Sequence, residues 1–417
     1  MMIWMDNWQR PLSGTVLFCN RLMKRARPIN CSSMHICFVG EIATPTFKTG
    51  GIGTFVANLS AELVKQGHEV SIVSFRKQQA ALEHETLDGF SIYWVNTNQW
   101  GKLRLIKVKL DTNKVLRQIH ARSPLHIVEA PEYGLFALQK IPGVQYVVRL
   151  NGGHVFFAKS TTDTPPRRRK AFVEKRSLKN ADAIIGVSKY VLTQTQSYYP
   201  FIQALPSAII PNPILVNRFD PSKFEGEQQD GFILFFGSLT EKKGVRQLIE
   251  AMPLVNEHVK NAALHIYGRD IPMRPSSDSY KALLEALLAK LQLQNVYIHE
   301  ALPNNEMPAL LAKASVIVLP SHMEAMPLAW LEALAMQRPF IGSQLGPGPE
   351  VITPHQNGLL CDPHQPADIA EKITYMLLHP QEAASMASAG RTMVVNEYNA
   401  ATLVQKNVLF YQSLIGR

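Results

Sequence analysis

The chain has 417 residues, of which 46% are hydrophobic and 18% are charged. That length exceeds one ordinary hydrophobic core, so we predict roughly two domains. It contains no run of about 18 apolar residues, so no membrane-spanning helix is expected. Its four cysteines form no C-x-x-C pair, which argues against a zinc site or a disulfide framework. We expect a cytoplasmic protein, either free or peripheral at the inner face of the cytoplasmic membrane.

Positive charge is concentrated in the first half of the chain. Residues 1–210 contain 27 Lys or Arg against 13 Asp or Glu, whereas residues 211–417 contain 16 against 20. The densest basic cluster consists of Arg167, Arg168, Arg169 and Lys170. It opens a predicted helix, where cations oppose the dipole, so the cluster predicts an anionic partner such as a membrane surface. A solvated basic face is the alternative, and nucleic acid is not expected because interleaved aromatic residues are missing.

The first ordered unit is predicted to begin after an N-terminal extension. Residues 1–33 show no sustained periodicity, and we interpret them as disordered. The strand His35–Gly40 is followed by a glycine-rich segment and an amphipathic helix that ends at Gly67, which indicates a doubly wound parallel sheet. The segment lacks the third glycine and the acidic residue of a dinucleotide-binding fingerprint. Gly51 and Gly53 still allow the backbone to approach a phosphate or a sugar closely.

Polar residues stand at the ends of two further predicted strands. Glu129 follows Leu125–Val128, and the sequence Asn151-Gly152-Gly153-His154 follows Val144–Leu150. The carboxyl ends of parallel strands face the ligand crevice of such a sheet. His154 is therefore either structural or catalytic, and these residues leave both interpretations open.

Prolines and a polar segment divide the chain into two parts. We place a linker at residues 216–231, after which a second sheet begins at Phe232–Gly237. The next loop contains Lys242 and Lys243, and a strand that ends in glycine beside two lysines suits a diphosphate. The same residues would be unremarkable as a surface turn.

The stretch Ala314–Glu350 carries the strongest functional pattern. Its apolar run Val316–Leu319 predicts a buried parallel strand, and strong helix formers follow Pro327. The N-terminus of that helix favours an anion, and Glu324 and Glu332 flank it. Carboxylates beside a phosphate site suit a ligand with hydroxyls next to its phosphates, which describes a sugar nucleotide.

With these motifs in the order and spacing found here, residues 34–415 resemble a retaining GT-B glycosyltransferase of glycosyltransferase family 4 (glycosyl transferases group 1). The motif Glu324-x7-Glu332 carries most of the resemblance. The implied fold class is α/β, with two Rossmann-like doubly wound parallel-sheet domains facing a cleft. An acceptor-side domain would span residues 34–215, with helix 398–417 packing back on it, and a nucleotide-sugar-binding domain would span residues 232–397.

The resemblance also implies roles for individual residues. Catalysis is assigned to His154, Glu324 and Lys243. The donor-binding set comprises Gly51, Gly53, Gly237, Ser238, Lys243, Gly268, Leu302, Glu324, Ala325, Met326, Pro327, Leu328 and Glu332. The acceptor-side set comprises Glu129, Arg149, Asn151 and His154. Glu332 would accept hydrogen bonds from ribose hydroxyls, Glu324 would hold sugar hydroxyls, and the Gly237 amide and those of Met326 to Leu328 would meet the diphosphate or the sugar.

Several positions depart from the family pattern, and two of them bear directly on the site. Ser238 stands where an arginine often occurs, which shifts diphosphate contact towards Lys243. Asn151 stands where related enzymes often have the histidine of Arg-Leu-His-Gly. Either Asn151 or His154 could therefore fill the active-site position of that histidine.

The implied reaction moves a sugar from a UDP- or GDP-sugar to a hydroxyl of a glycan or lipid-linked acceptor, in cell-surface polysaccharide or glycolipid synthesis. No cofactor is expected. The chain contains no Asp-x-Asp pair, which predicts that no metal is needed. The alternatives are a nucleotide-sugar epimerase or polymer synthase of the same fold, and an inactive sugar-nucleotide-binding protein.

Overall fold

The computed structural model describes residues 33–42, 44, 51–77, 82–97, 104–161, 166–273, 276 and 278–415. The predicted N-terminal extension therefore lies outside the described residues, except for Ser33. Two sheets, each packed with helices, confirm the predicted α/β class with two Rossmann-like domains.

The first sheet has eight strands within the described residues. In chain order they are β1 His35–Val39, β2 Glu69–Arg76, β3 Leu82–Leu87, β4 Phe90–Asn96, β5 Ile127–Pro131, β6 Gln145–Leu150, β7 Ala183–Gly186 and β8 Ser207–Ile209. Their spatial order is β3-β4-β2-β1-β5-β6-β7-β8. Only the edge strand β3 pairs antiparallel with its neighbour. The other seven strands, from β4 to β8 in this spatial order, are parallel to one another. The carboxyl ends of those seven strands therefore share one edge of the sheet.

Five described helices accompany this sheet: α1 Gly51–Lys65, α2 Arg104–Arg122, α3 His154–Thr161, α4 Arg168–Lys179 and α5 Lys189–Tyr198. Because α1 begins at Gly51, the segment predicted as a glycine loop is in part the first turn of a helix. Phe55 and Leu59 are among the α1 side chains that face the core. Gly67 adopts a φ of 82° just after α1, which confirms the predicted end of this helix.

The second sheet is entirely parallel, and its spatial order is β11-β10-β9-β12-β13-β14. Its strands are β9 Phe232–Phe236, β10 Ala263–Tyr267, β11 Val296–His299, β12 Val316–Leu319, β13 Phe340–Ser343 and β14 Leu359–Cys361. Within the predicted linker, residues 216–218 and 221–224 form short 3-10 helices. β12 is completely buried, as its apolar run predicts.

Eight described helices follow in the rest of the chain: α6 Val245–His258, α7 Tyr280–Leu291, α8 Met307–Lys313, α9 Leu328–Ala335, α10 Gly348–Val351, α11 Pro366–Leu378, α12 Pro380–Glu397 and α13 Ala400–Ile415. In the described part of the chain, no helix has both the length and the apolar character needed to cross a bilayer.

The last helix returns to the first domain. The backbone of Ile214 exchanges hydrogen bonds with Tyr398 and Ala400, each 3.1 Å long. Farther along α13, the Tyr411 hydroxyl donates to the Glu129 carboxylate at 2.6 Å. The chain therefore crosses between the domains twice, once near residue 214 and once near residue 399.

Candidate active site

Two loops of the second domain lie side by side beyond the ends of β9 and β12. The His322 N–H donates to the Lys242 carbonyl at 2.8 Å. Gly244 has a φ of 71°, and a Cβ there would lie 2.0 Å from the Pro320 carbonyl oxygen. Only glycine allows the two backbones to lie this close together. The loop with Lys242 and Lys243 is therefore packed tightly against the loop that carries Glu324.

Lys243 and Glu324 form an ion pair between these loops, and their side chains are 23% and 12% exposed. Burial alone would raise the pKa of Glu324, but the Lys243 and Lys242 ammonium groups outweigh it and hold this pKa below its usual value. Glu324 is therefore an ionised carboxylate in a site with little water. An incoming diphosphate would compete with it for Lys243.

Lys242 connects this site to the first domain. Its ammonium nitrogen lies 4.5 Å from the ring centroid of Phe157 on α3, which is a cation–π contact. Burial lowers the pKa of Lys242, although the nearby Glu324 opposes that effect. Phe157 has no local sequence signal for this role, because its partner is 85 residues away.

Glu332 occupies the second turn of α9, where it is half-buried. Burial raises the pKa of this carboxyl to about 7, and the Arg218 guanidinium opposes the rise. The carboxyl therefore changes its protonation state near neutral pH. Arg218 lies in the segment between the two sheets, so sequence reasoning did not connect it with Glu332.

The N-terminus of α9 faces the first domain. A Cβ on Gly51 would lie 3.8 Å from Leu328 Cδ1, so the start of α1 lies opposite the start of α9. Helix geometry leaves the first amides of α9 without acceptors inside the helix, and Leu328 supplies one of them. The amide contact predicted at Pro327 is wrong, because proline has no N–H.

Other predicted donor residues lie around these loops. The Gly237 amide is not free as predicted, since it donates to the Tyr267 carbonyl at 3.0 Å. Gly268 is required for packing, because a Cβ there would lie 2.1 Å from the Gly237 carbonyl oxygen. Ser238 and Leu302 are half-buried after β9 and β11. The remaining predicted positions are buried: Gly53, Ala325 and Met326.

On the first domain, Asn151 and His154 lie at the end of β6 and the start of α3. The Asn151 Oδ1 accepts a hydrogen bond from Asn212 at 3.0 Å. The His154 Nε2 accepts from the Arg167 backbone N–H at 2.8 Å. Burial, and then Lys170 and Arg167, lower the pKa of His154, so the ring is neutral at pH 7. Gly152 lies between them, and a Cβ there would be 3.1 Å from the Ala325 Cβ across the cleft.

Family comparisons agree with this two-domain site. A model described as Glycosyltransferase Family 4 matches residues 49–218, and one described as Glycosyl transferases group 1 matches residues 217–393. The two matches adjoin and together cover every strand of the two sheets except β1. The chain belongs to glycosyltransferase family 4.

Relatives and solved structures extend this assignment. The glycosyltransferase is 24% identical to a glycogen synthase of Mycobacterium tuberculosis over 395 residues, 88% of this chain and 92% of that protein. It is 28% identical to a GDP-mannose-dependent monoacylated alpha-(1-6)-phosphatidylinositol monomannoside mannosyltransferase of Corynebacterium glutamicum, over 52% of this chain and 58% of that protein. A sucrose-phosphate synthase structure from Thermosynechococcus elongatus superimposes with a TM-score of 0.76 and 19% identity, covering 92% of this chain and 99% of that one. The fold is therefore GT-B.

Two buried carboxyls that the sequence did not reveal support the Asn151–His154 loop of the glycosyltransferase. Glu132 accepts from the Asn151 N–H, and Glu174 accepts from the Val155 N–H. Burial is the main cause that raises the pKa of both groups, to about 8 for Glu132. A Cβ on Gly153 would lie 2.7 Å from Glu174 Oε1, so this glycine has a packing role. These contacts hold the loop rigidly beside the cleft.

Glu129 and Arg149, two residues of the predicted acceptor-side set, are buried in the glycosyltransferase. The Arg149 Nε donates to Glu129 Oε1 at 2.7 Å, and the two side chains are 1% and 2% exposed. Asn407 and Tyr411 of α13 complete the network. In this closed arrangement the pair joins the last helix to the first sheet, and neither side chain presents a free group to an acceptor.

Proposed function

We propose that this glycosyltransferase retains anomeric configuration as it moves a sugar from a UDP- or GDP-sugar to a hydroxyl of a glycan or lipid-linked acceptor. The observation that supports this most is the Lys243–Glu324 pair beside the first turn of α9. A cation and free helix amides suit a diphosphate, and carboxylates suit the hydroxyls on either side of it. The mannosyltransferase relative is named as GDP-mannose-dependent, which favours a nucleotide sugar as donor.

Lys243 acts on the leaving group in this proposal. As the glycosidic bond to the diphosphate breaks, negative charge grows on the phosphate oxygen, and the Lys243 ammonium stabilises it in a site with little water. The Leu328 amide and Lys242 add positive potential nearby. These groups supply the charge that a divalent cation provides in other enzymes, so the proposed reaction is metal-independent.

The two glutamates bind different parts of the donor in this proposal. Glu332, one turn into α9, accepts from the ribose hydroxyls, and Glu324 accepts from hydroxyls of the transferred sugar. Binding of the diphosphate draws Lys243 away from Glu324, which frees the carboxylate for the sugar. In this proposal the Lys243–Glu324 ion pair is replaced by contacts with the diphosphate and the sugar of the donor.

The acceptor enters from the side of Gly51 and the Asn151–His154 loop. The His154 Nε2 accepts a hydrogen bond from the Arg167 backbone N–H, so binding of a hydroxyl there requires this hydrogen bond to be replaced. Closure of the two domains excludes water from the donor, which limits its hydrolysis.

A basic and apolar face of the first domain supplies the proposed membrane contact. Ile106 and Leu110 on α2 and Phe172 on α4 are 57–60% exposed. The turn that follows β5 contacts both helices. Its Gly134 carbonyl accepts a hydrogen bond from the Lys109 ammonium on α2, and its Phe136 ring packs against the Phe172 ring on α4. The same two helices and the residue just before α4 carry exposed cations: Lys114, Arg117, Arg167, Arg168, Arg169, Lys170, Lys175, Arg176 and Lys179. Charge and apolar groups on one face suit an anionic bilayer, which would also present a lipid-linked acceptor.

A polymer synthase is the second candidate, because the glycogen synthase relative matches over 92% of its length. Product length separates the two candidates. A synthase extends an α-glucan primer by many units, whereas the proposed enzyme adds one sugar to its acceptor.

A thermal-shift screen of UDP- and GDP-sugars, followed by measurement of turnover, tests the proposal. Ligand that binds only the folded state raises Tm by mass action. One nucleotide-sugar series should raise Tm and release its nucleoside diphosphate in the presence of EDTA. Stabilisation without any turnover in an acceptor panel would favour the inactive binding protein. No stabilisation by either series would contradict the proposed function.

A further inference from the structure

The N-terminus of α5 in the first domain forms hydrogen bonds with a carboxylate of the second domain. The Lys189 and Tyr190 N–H groups donate to Glu350 Oε2 and Oε1 at 2.7 and 2.6 Å. The first turn of α5 has no acidic residue of its own. Glu350, 160 residues further along the chain, therefore supplies the negative charge that this helix end favours.

The same helix end directly contacts the loop between β12 and α9 that carries Glu324, here called the donor loop. The Ser188 side chain caps α5 by accepting from Val191 N–H at 3.1 Å, and it donates to the Ala325 carbonyl at 2.7 Å. Ala325 is the neighbour of Glu324 in the chain. Ser188 therefore connects α5 of the first domain directly to the donor loop of the second domain.

Glu350 is itself held against that loop. A Cβ on Gly348 would lie 1.9 Å from the Ser343 carbonyl oxygen, so the short helix α10 packs tightly on the end of β13. A Cβ on Gly346 would lie 3.1 Å from Met323 Sδ and 3.3 Å from the Glu324 carbonyl oxygen. The segment that carries Glu350 therefore packs directly against the residues around the Lys243–Glu324 pair.

We propose that Glu350 is a positioning residue that holds the two domains closed over the donor. Its two hydrogen bonds and the Ser188–Ala325 bond, together the closing contacts, span the domains beside the donor loop. Glu350 is exposed, so water can replace each bond when the domains separate. The two Glu350 hydrogen bonds are charge-assisted and exposed, which suits a cycle of opening and closing. The catalytic consequence rests on the proposed function, whereas the closed geometry does not.

Small-angle X-ray scattering of the ligand-free enzyme tests the closing contacts without any knowledge of the donor. A compact chain of this length has a radius of gyration of about 22 Å. Glu350→Ala should have a measurably larger radius of gyration than the wild type. Glu350→Gln keeps one acceptor oxygen but loses the charge, so its radius of gyration should increase less. Ser188→Ala breaks the contact from the other domain and should open the molecule as well. Glu257→Ala, on the exposed side of α6, is the matched control and should leave the profile unchanged.

Enzyme kinetics then distinguish positioning from simple stability. With the donor found by thermal shift, Glu350→Ala should raise the ratio of donor hydrolysis to transfer about tenfold while Tm stays close to that of the wild type. Identical scattering profiles for wild type and Glu350→Ala would overturn the inference, and so would a wild type that is open in solution. Failure of every donor to react would contradict the proposed function but would leave the scattering result to decide the closing contacts.

Discussion

Lys243 and Glu324 pair with each other, and this explains how two opposite charges remain in a largely buried site. Burial of an unpaired charge would cost several kcal/mol, which the pair offsets by mutual attraction. A donor with a diphosphate next to sugar hydroxyls satisfies both groups at once. We therefore expect the pair to select ligands that carry an anion and a polyol together.

Removal of either partner should reduce transfer strongly. Lys243→Ala and Glu324→Gln should each lower kcat/KM at least tenfold, because each loses contacts that stabilise the donor as its bond breaks. Steady-state assays with the donor from the thermal-shift screen measure this. Lys290→Ala, an exposed lysine on α7, is the control for loss of one positive charge. Variants with wild-type kcat/KM would remove these two side chains from the site.

Glu332 should give nucleotide binding a pH dependence. Burial raises its pKa to about 7, so the carboxyl is mostly neutral at pH 6 and mostly ionised at pH 8. The ionised fraction rises roughly tenfold over that range, and the ionised form is the better acceptor for ribose hydroxyls. Affinity for UDP or GDP, measured by calorimetry, should therefore increase from pH 6 to pH 8.

Glu332→Gln provides the control for this titration, because phosphate groups of the nucleotide also ionise near pH 6. The variant should bind more weakly at pH 8 and lose the part of the pH dependence that comes from the carboxyl. Equal pH profiles for wild type and variant would show that Glu332 does not contact the ribose.

At the scale of elements, α13 fastens the end of the chain to the first sheet through a buried polar network. The Tyr411 hydroxyl donates to Glu129, which is paired with Arg149. Tyr411→Phe should destabilise the protein by about 1–3 kcal/mol, since a buried carboxylate loses one donor. Urea unfolding measures the effect, and the exposed Tyr297→Phe is the matched control. If both variants unfold at the wild-type urea concentration, the network contributes little.

Helix α4 should bind anionic vesicles through its exposed cations. Each basic residue near anionic headgroups contributes about 1 kcal/mol, so the triple substitution of Arg167, Arg168 and Arg169 by Gln should reduce binding by at least tenfold. Co-sedimentation with phosphatidylserine-containing vesicles measures the loss, and phosphatidylcholine vesicles show the uncharged baseline.

Phe172→Ala separates apolar insertion from charge attraction on the same face. It should weaken binding mainly at high salt, where charge attraction is screened. A triple Gln variant of Lys223, Lys260 and Lys290, three exposed lysines outside the first domain, controls for net charge. Equal sedimentation of both triple variants would favour a solvated basic face.

At the scale of the whole molecule, sequence patterns predicted what depends on neighbours along the chain. Apolar runs predicted the central strands, and the Glu324-x7-Glu332 spacing predicted one wall of the cleft. Contacts between distant segments had no such signal, as the Lys242–Phe157 contact and the Glu350–α5 contact show. Arg149 was misread for the same reason, because its partner Asn407 lies at the other end of the chain. The residue types alone did not reveal that a strand-end arginine was already fully paired.

The anomeric configuration of the first sugar released is the most direct test of the central claim. With the donor found by thermal shift, and enough enzyme for hydrolysis in EDTA to outpace mutarotation of the free sugar, the released anomer can be followed by proton NMR without an acceptor. The account predicts release of the anomer present in the donor, together with UDP or GDP, and loss of this release in Lys243→Ala. Appearance of the opposite anomer, or a strict need for a divalent cation, would contradict it.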